Sequence, residues 1–182
     1  MKNKIGFGEE APIPLSWGII IPHNHTQQGA VGVKNHSEYI YGVLLAESLG
    51  MKYATRDLSG VKGAARELFR HDRNASIEPH FNAFNRRVKG AEILVMEGDS
   101  ESKYYAEMFM ELFADMFPER KIRHGNGIKE VRRGNRGFYN LKTARNNGME
   151  VSLLPELFFG DNHGDWMSVS EQAKFWATCF GL

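Results

Sequence analysis

A chain of 182 residues, 42% hydrophobic and 12% aromatic, is long enough to bury the core of one domain and too apolar to stay disordered. A formal net charge of +1 argues against nucleic-acid binding by charge alone, and the single cysteine, Cys179, excludes an internal disulfide and a multi-cysteine zinc site. No apolar run approaches the ~18 residues that span a bilayer, and the opening MKNKIGFGEEAPIPLSW has two lysines but no apolar core of a signal peptide.

Residues 1–16, with Pro12, Pro14 and adjacent acids, read as an arm laid over a single domain that runs from 17 to 182. WGIII (17–21) is a short strand ended by Pro22. Helical spacing follows over 35–50, with Asn35 or Ser37 as cap, an apolar stripe of Ile40, Val43 and Leu44, and a stop at Gly50. Residues 51–56 alternate like a strand, and 61–74 return to helical spacing through Ala65, Leu68 and Phe69. ASIEPHFNA (75–83) reads as a strand interrupted by Pro79, since proline suits a strand end or edge.

AEILVME (91–97) is a better strand. Residues 102–117 form the strongest helix, with Tyr105, Met108, Phe109, Leu112, Phe113 and Met116 on one face. The basic, glycine-rich stretch 121–137 reads as a solvated loop. A helix over 136–148, a strand over 149–159 and a terminal helix over 168–180 complete the chain, and Ser168 with Glu171 has capping-box spacing. This alternation predicts an α/β domain: a mostly parallel twisted sheet of about six strands with helices on both faces.

Chemistry-bearing residues gather at the expected strand ends. His23 and His25 lie two apart after the first strand and face the same way if it continues that far. Glu38 opens the next helix, His80 ends another strand and Glu156 lies in the last one. Two imidazoles and a carboxylate are the donor set of many catalytic zinc sites, with a further acid available as base. Each of these residues also has an ordinary role, as a hydrogen-bonded core histidine or a helix-dipole partner. His36, His71, His124 and His163 read as surface or outer-sphere residues.

The ordered series PHNHTQQGAVG, HSEYIYGVLLAESLG, YATRD, SIEPHFNAF, KGAEILVM and LLPELFFGDNHGD resembles the zinc-dependent N-acetylmuramoyl-L-alanine amidases of the amidase-3 type, found in phage endolysins and bacterial cell-wall hydrolases. The resemblance implies Zn2+ held by His23, Glu38 and His80, with Glu156 as the catalytic carboxylate. The family's first ligand lies six residues before the glycine of its Gly-Ala-x-Gly turn, which favours His23, six before Gly29; His25 is the alternative ligand or a cleft residue. Pro22 stands where the family has a glycine, so the turn must take its shape without a permissive residue there. Glu78 and Asn82 are expected beside the ligands or in the cleft, Glu78 as an outer partner of His80.

Arg132, Arg133 and Arg136 are the expected substrate rim, meeting carboxylates of the stem peptide. The implied partner is peptidoglycan, with no nucleic acid and no transmembrane segment, and the implied site of action is the cell wall, reached without a recognisable signal peptide. Two alternatives remain at this stage: another His-Glu-His zinc amide hydrolase, carboxypeptidase-like or deacylating, and a non-catalytic module binding wall or nucleic acid through the basic 121–137 stretch.

Overall fold

The computed structural model describes residues 15–57 and 59–182. Of the expected arm, only Leu15 and Ser16 fall among them. Seven strands and five helices alternate: β1 (Trp17–Ile20), α1 (Glu38–Leu49), β2 (Tyr53–Ala54), α2 (Gly60–Arg70), β3 (Ala75–Ile77), β4 (His80–Asn82), β5 (Glu92–Met96), α3 (Ser100–Met116), β6 (Ile128–Val131), α4 (Phe138–Arg145), β7 (Val151–Phe159) and α5 (Val169–Phe180). They build one sheet in the order β2-β1-β3-β7-β5-β6, with β4 pairing β7 beyond the end of β3. Every pairing is parallel except β5 with β7.

Alternation along the strands divides their side chains among three buried clusters. Ile19 and Ile21 enter the largest one, formed with Tyr41, Leu45, Phe109, Phe113 and Trp176 under α1, α3 and α5. Ile20, between them, packs with Ala65, Leu68, Ala144 and Met149 under α2 and α4. β7 is the hub, buried at all nine positions and paired on both sides, which explains a continuous apolar run where an edge strand would alternate. Cys179 packs against the largest cluster, and burial pushes its thiol up to about 12.

The expected interruption at Pro79 is present, separating β3 from β4. Pro155 lies between Leu153 and Glu156, the β7 residues that pair with the last residue of β3 and the first of β4. Both prolines therefore fall at the same break in the ladder, where a missing N–H costs least.

Three expectations are corrected. The stretch 121–137, read as a loop, contains β6, which with the division of the 75–83 segment brings the expected sheet of about six strands to seven. The buried face of α1 is Tyr41, Gly42, Leu45 and Ala46, while Ile40 and Leu44 are exposed; the helix packs on both the sheet and α5, and Gly42 gives Pro22 its close approach. On α3 the buried face includes Ala106 and Met110, and Met108 is exposed. The capping box of α5 is formed as expected, with Ser168 Oγ accepting from Glu171 N and Glu171 Oε2 accepting from Ser168 N.

Candidate metal centre and active site

In a parallel sheet, carboxyl ends of strands line up along one edge. β1 ends there and delivers His23 through the Pro22 turn. Glu38 comes from the first turn of α1, capped by Ser37. His80 opens β4, and Glu156 is its partner across the β4–β7 ladder. β5 runs antiparallel to β7, so its first residue, Glu92, also arrives at this edge, directly opposite Glu156.

The turn solves the problem raised by Pro22 in an unexpected place. His23 itself takes the left-handed conformation, φ 63°, a cost of roughly 1 kcal/mol or more for a side-chain-bearing residue. That conformation brings its ring onto Glu38. His23 Nε2 lies 3.0 Å from Glu38 Oε2, and His80 Nδ1 lies 2.9 Å from Glu38 Oε1. One nitrogen from each histidine and one oxygen of Glu38 fall within 4.8 Å of one another.

Glu38 is 2% exposed, and its oxygens also accept from Ala30 N at 2.9 Å and Phe81 N at 3.3 Å. Burial opposes its charge, but the close His23 ring and the hydrogen-bonding His80 and Ala30 N hold the carboxyl far below its ordinary range. Gly29, φ +78°, closes the turn so tightly that a Cβ there would lie 2.4 Å from Glu38 Oε2 and 2.6 Å from His23 Nε2.

The other nitrogen of His80 is also occupied. Nε2 lies 3.0 Å from Glu78 Oε1, which further accepts from Arg56 Nη1 at 2.8 Å and Asn140 Nδ2 at 3.0 Å. Burial works against a charged ring, yet the two carboxylates outweigh it and push His80 up to about 9. Both ring nitrogens face carboxylates, an arrangement that favours the protonated ring in the absence of a metal.

The residues fit a zinc ion. Three borderline N/O donors converge, two of them buried, and an outer carboxylate fixes the orientation of a ligating imidazole. His23 Nε2 is buried without a hydrogen-bond partner, a donor atom available to a cation.

Glu156 is buried beside this group. Burial pushes its carboxyl up, Arg136 pulls it down and the neighbouring Glu92 carboxyl raises it further, for a net upward shift. Its Oε1 has Arg136 Nη2 at 3.3 Å, an ion pair outside hydrogen-bond geometry. Glu92, fully buried, stays ionised: burial opposes this, but Lys129, Glu156, Arg123 and His124 favour the charge. Arg123 Nη1 and His124 Nε2 pair with it directly, and Asn82 Nδ2 donates to it at 3.2 Å. Glu92, Arg123 and His124 were not singled out from the sequence; Glu92 was read as part of a strand and His124 as peripheral. A lone acid opening an apolar strand was the available signal.

The remaining sequence candidates divide. Glu78 lies beside His80, and Asn82 lines the cavity next to Arg123 and Arg136. His25 turns away: its Nδ1 lies 2.7 Å from Asp57 Oδ1, the side chain is 66% exposed, and it does not join the His23–Glu38–His80 group. Arg132 and Arg133 are exposed in the turn after β6, whereas Arg136 lines a cavity beside Glu156.

The fold is shared with catalytic domains of cell-wall amidases. The chain is similar to the N-acetylmuramoyl-L-alanine amidase AmiC2 of Nostoc punctiforme, with TM-score 0.67 and 18% identity over 91% of this chain and 94% of that one. It is similar to the catalytic domain of CwlV, an N-acetylmuramoyl-L-alanine amidase from Bacillus (Paenibacillus) polymyxa var. colistinus, with TM-score 0.65 and 17% identity over 90% and 92%. A third likeness is to the catalytic domain of the CD27L endolysin targeting Clostridia difficile, with TM-score 0.63 and 20% identity over 90% and 95%. No family model and no curated protein matches the chain.

Proposed function

We propose that this chain is a zinc-dependent peptidoglycan amidase that hydrolyses the amide between the lactyl group of N-acetylmuramic acid and the first L-alanine of the stem peptide. The observation that carries the reading is the convergence of His23, Glu38 and His80, with a buried Glu156 paired across the ladder from His80. The fold shared with N-acetylmuramoyl-L-alanine amidases supports this choice of amide.

His23, Glu38 and His80 would hold the ion, and Glu78 would keep the His80 ring in place from behind. When bound, zinc supplies a Lewis acid that lowers the pKa of water from ~15.7 toward ~7 and polarises a carbonyl oxygen. Glu156 takes the proton of the attacking water. The same carboxyl then gives that proton to the departing alanine amine, which is too basic to leave unprotonated. An upward-shifted carboxyl suits both halves of this exchange, because it binds the proton firmly enough to carry it and weakly enough to release it. Glu156 lies on β7, buried at all nine positions, with the buried strand β4 paired beside it, so it is held on a rigid strand.

The test is digestion of purified peptidoglycan with and without a zinc chelator, assaying new alanine amino termini against new reducing sugar ends. Alanine amines that disappear with chelator are expected. New sugar ends would replace the reading with a glycosidase, and no new ends of either kind would defeat it.

A further inference from the structure

Beside Glu156 lies a cavity of about 370 Å³ whose walls include Asn82, Phe84, Arg123, Arg136 and Phe159. Two arginines line it and no acid does. Arg123 is anchored from below by Glu92 and lies over the Phe159 ring, 5.4 Å from its centroid. Arg136 reaches in from the turn before α4 with its side chain 63% exposed. One guanidinium nitrogen faces Glu156, and a guanidinium carries five N–H donors in a planar fork suited to carboxylates. Counting Arg123, Lys129 and Arg136 against Glu92 and Glu156 leaves one cation uncompensated even with both acids ionised.

The position of the cavity sets what it would bind. It lies at Asn82 and Phe159, register partners two residues along β4 from the His80–Glu156 pair. At ~3.3 Å per residue this is about 7 Å beyond the reacting centre. Consecutive Cα atoms are ~3.8 Å apart, so a carboxylate on the Cα after the substrate's alanine falls roughly 6–7 Å beyond the scissile nitrogen.

We infer that the Arg123–Arg136 cavity is a subsite for a free carboxylate on the second residue of the peptide, so that the protein prefers acyl-L-alanyl peptides with that group ionised over those with it amidated. This rests on the amidase reading for the direction in which the peptide lies. The ionised oxygens would take the unused Arg136 donors, and the Phe84 and Phe159 rings would cover the apolar part of that residue.

The test uses two product-like dipeptides that cannot be turned over, L-alanyl-glutamate γ-methylamide with its α-carboxylate free and the same compound with an α-carboxamide. Binding of each to the zinc-loaded protein is measured by calorimetry for the wild type and for Arg136→Met. The expected result is at least ~tenfold tighter binding of the acid, the size of one charge-assisted hydrogen bond at a partly exposed arginine, falling below about threefold in the variant. Equal affinities in the wild type overturn the subsite, whether or not the wall is cut. A preference that Arg136→Met leaves intact also overturns the assignment. Preference for the acid without hydrolysis of peptidoglycan would support the subsite and defeat the amidase reading, so the two fail separately.

Discussion

Replacing Gly29 by alanine tests whether the His23–Glu38 geometry is held by close packing. The added Cβ meets Glu38 Oε2 at 2.4 Å and His23 Cδ2 and Nε2 at 2.5 and 2.6 Å, about 1 Å inside ordinary contact. Glu38 yields only by loosening its bond from Ala30 N, and His23 only by rotating its ring away from Glu38 Oε2. A metal site tolerates ligand displacements of roughly 0.2 Å, so zinc affinity should fall at least ~10- to 100-fold, the range seen when support around a ligand is lost. The backbone adds a separate cost of about 1 kcal/mol, because φ +78° disfavours any side chain.

Gly50→Ala is the control, since Gly50 is also left-handed, φ +61°, but a Cβ there meets nothing within 4 Å. It should lose a similar ~1 kcal/mol of stability and bind zinc as the wild type does. Zinc affinity is read by competition with a chromophoric chelator, and stability by urea unfolding of the metal-free proteins. Wild-type zinc affinity in Gly29→Ala would refute the packed geometry.

Glu156→Gln should keep zinc affinity within about threefold and lose on the order of 100- to 10,000-fold in turnover, while His80→Ala should lose both; retained turnover in the first variant removes Glu156 from the mechanism. For metal-free protein, His80 is raised from 6.5 to about 9, so the stability from its protonation is complete below pH 6.5 and lost as pH rises through 9. The drop is on the order of 3 kcal/mol, measured by urea midpoints of chelated protein at pH 6 and 9.5; a flat profile contradicts the paired imidazolium. Ser168→Ala should cost about 1 kcal/mol by removing the side-chain half of the α5 capping box, with turnover per folded molecule unchanged.

The three residues of the candidate metal centre could be picked out because each lies at a position with a local mark: His23 six residues before Gly29, Glu38 after a capping serine, and His80 after Pro79. β6 was illegible for the opposite reason. Only Ile128 and Val131 of its four residues are apolar, the middle is Lys129–Glu130, and glycine and arginine surround it. The buried face of α1 depends on α5, which lies more than a hundred residues away, so the apolar residues nearest in sequence misled. The Glu92 network joins β5, the segment before β6 and β4 through the antiparallel β5–β7 pairing. No sequence spacing encodes a partner chosen by strand direction.

The place of β7 in the sheet also governs when the molecule can come together. It separates β2-β1-β3 from β5-β6, and it is built from residues 151–159. Until that segment has left the ribosome, the two halves of the sheet share no ladder, and β3 and β5 each present an open edge. Such edges pair readily with other chains. Folding therefore waits on a late, long-range event, so slow translation of the last strand prolongs the interval in which a nascent chain is exposed to aggregation.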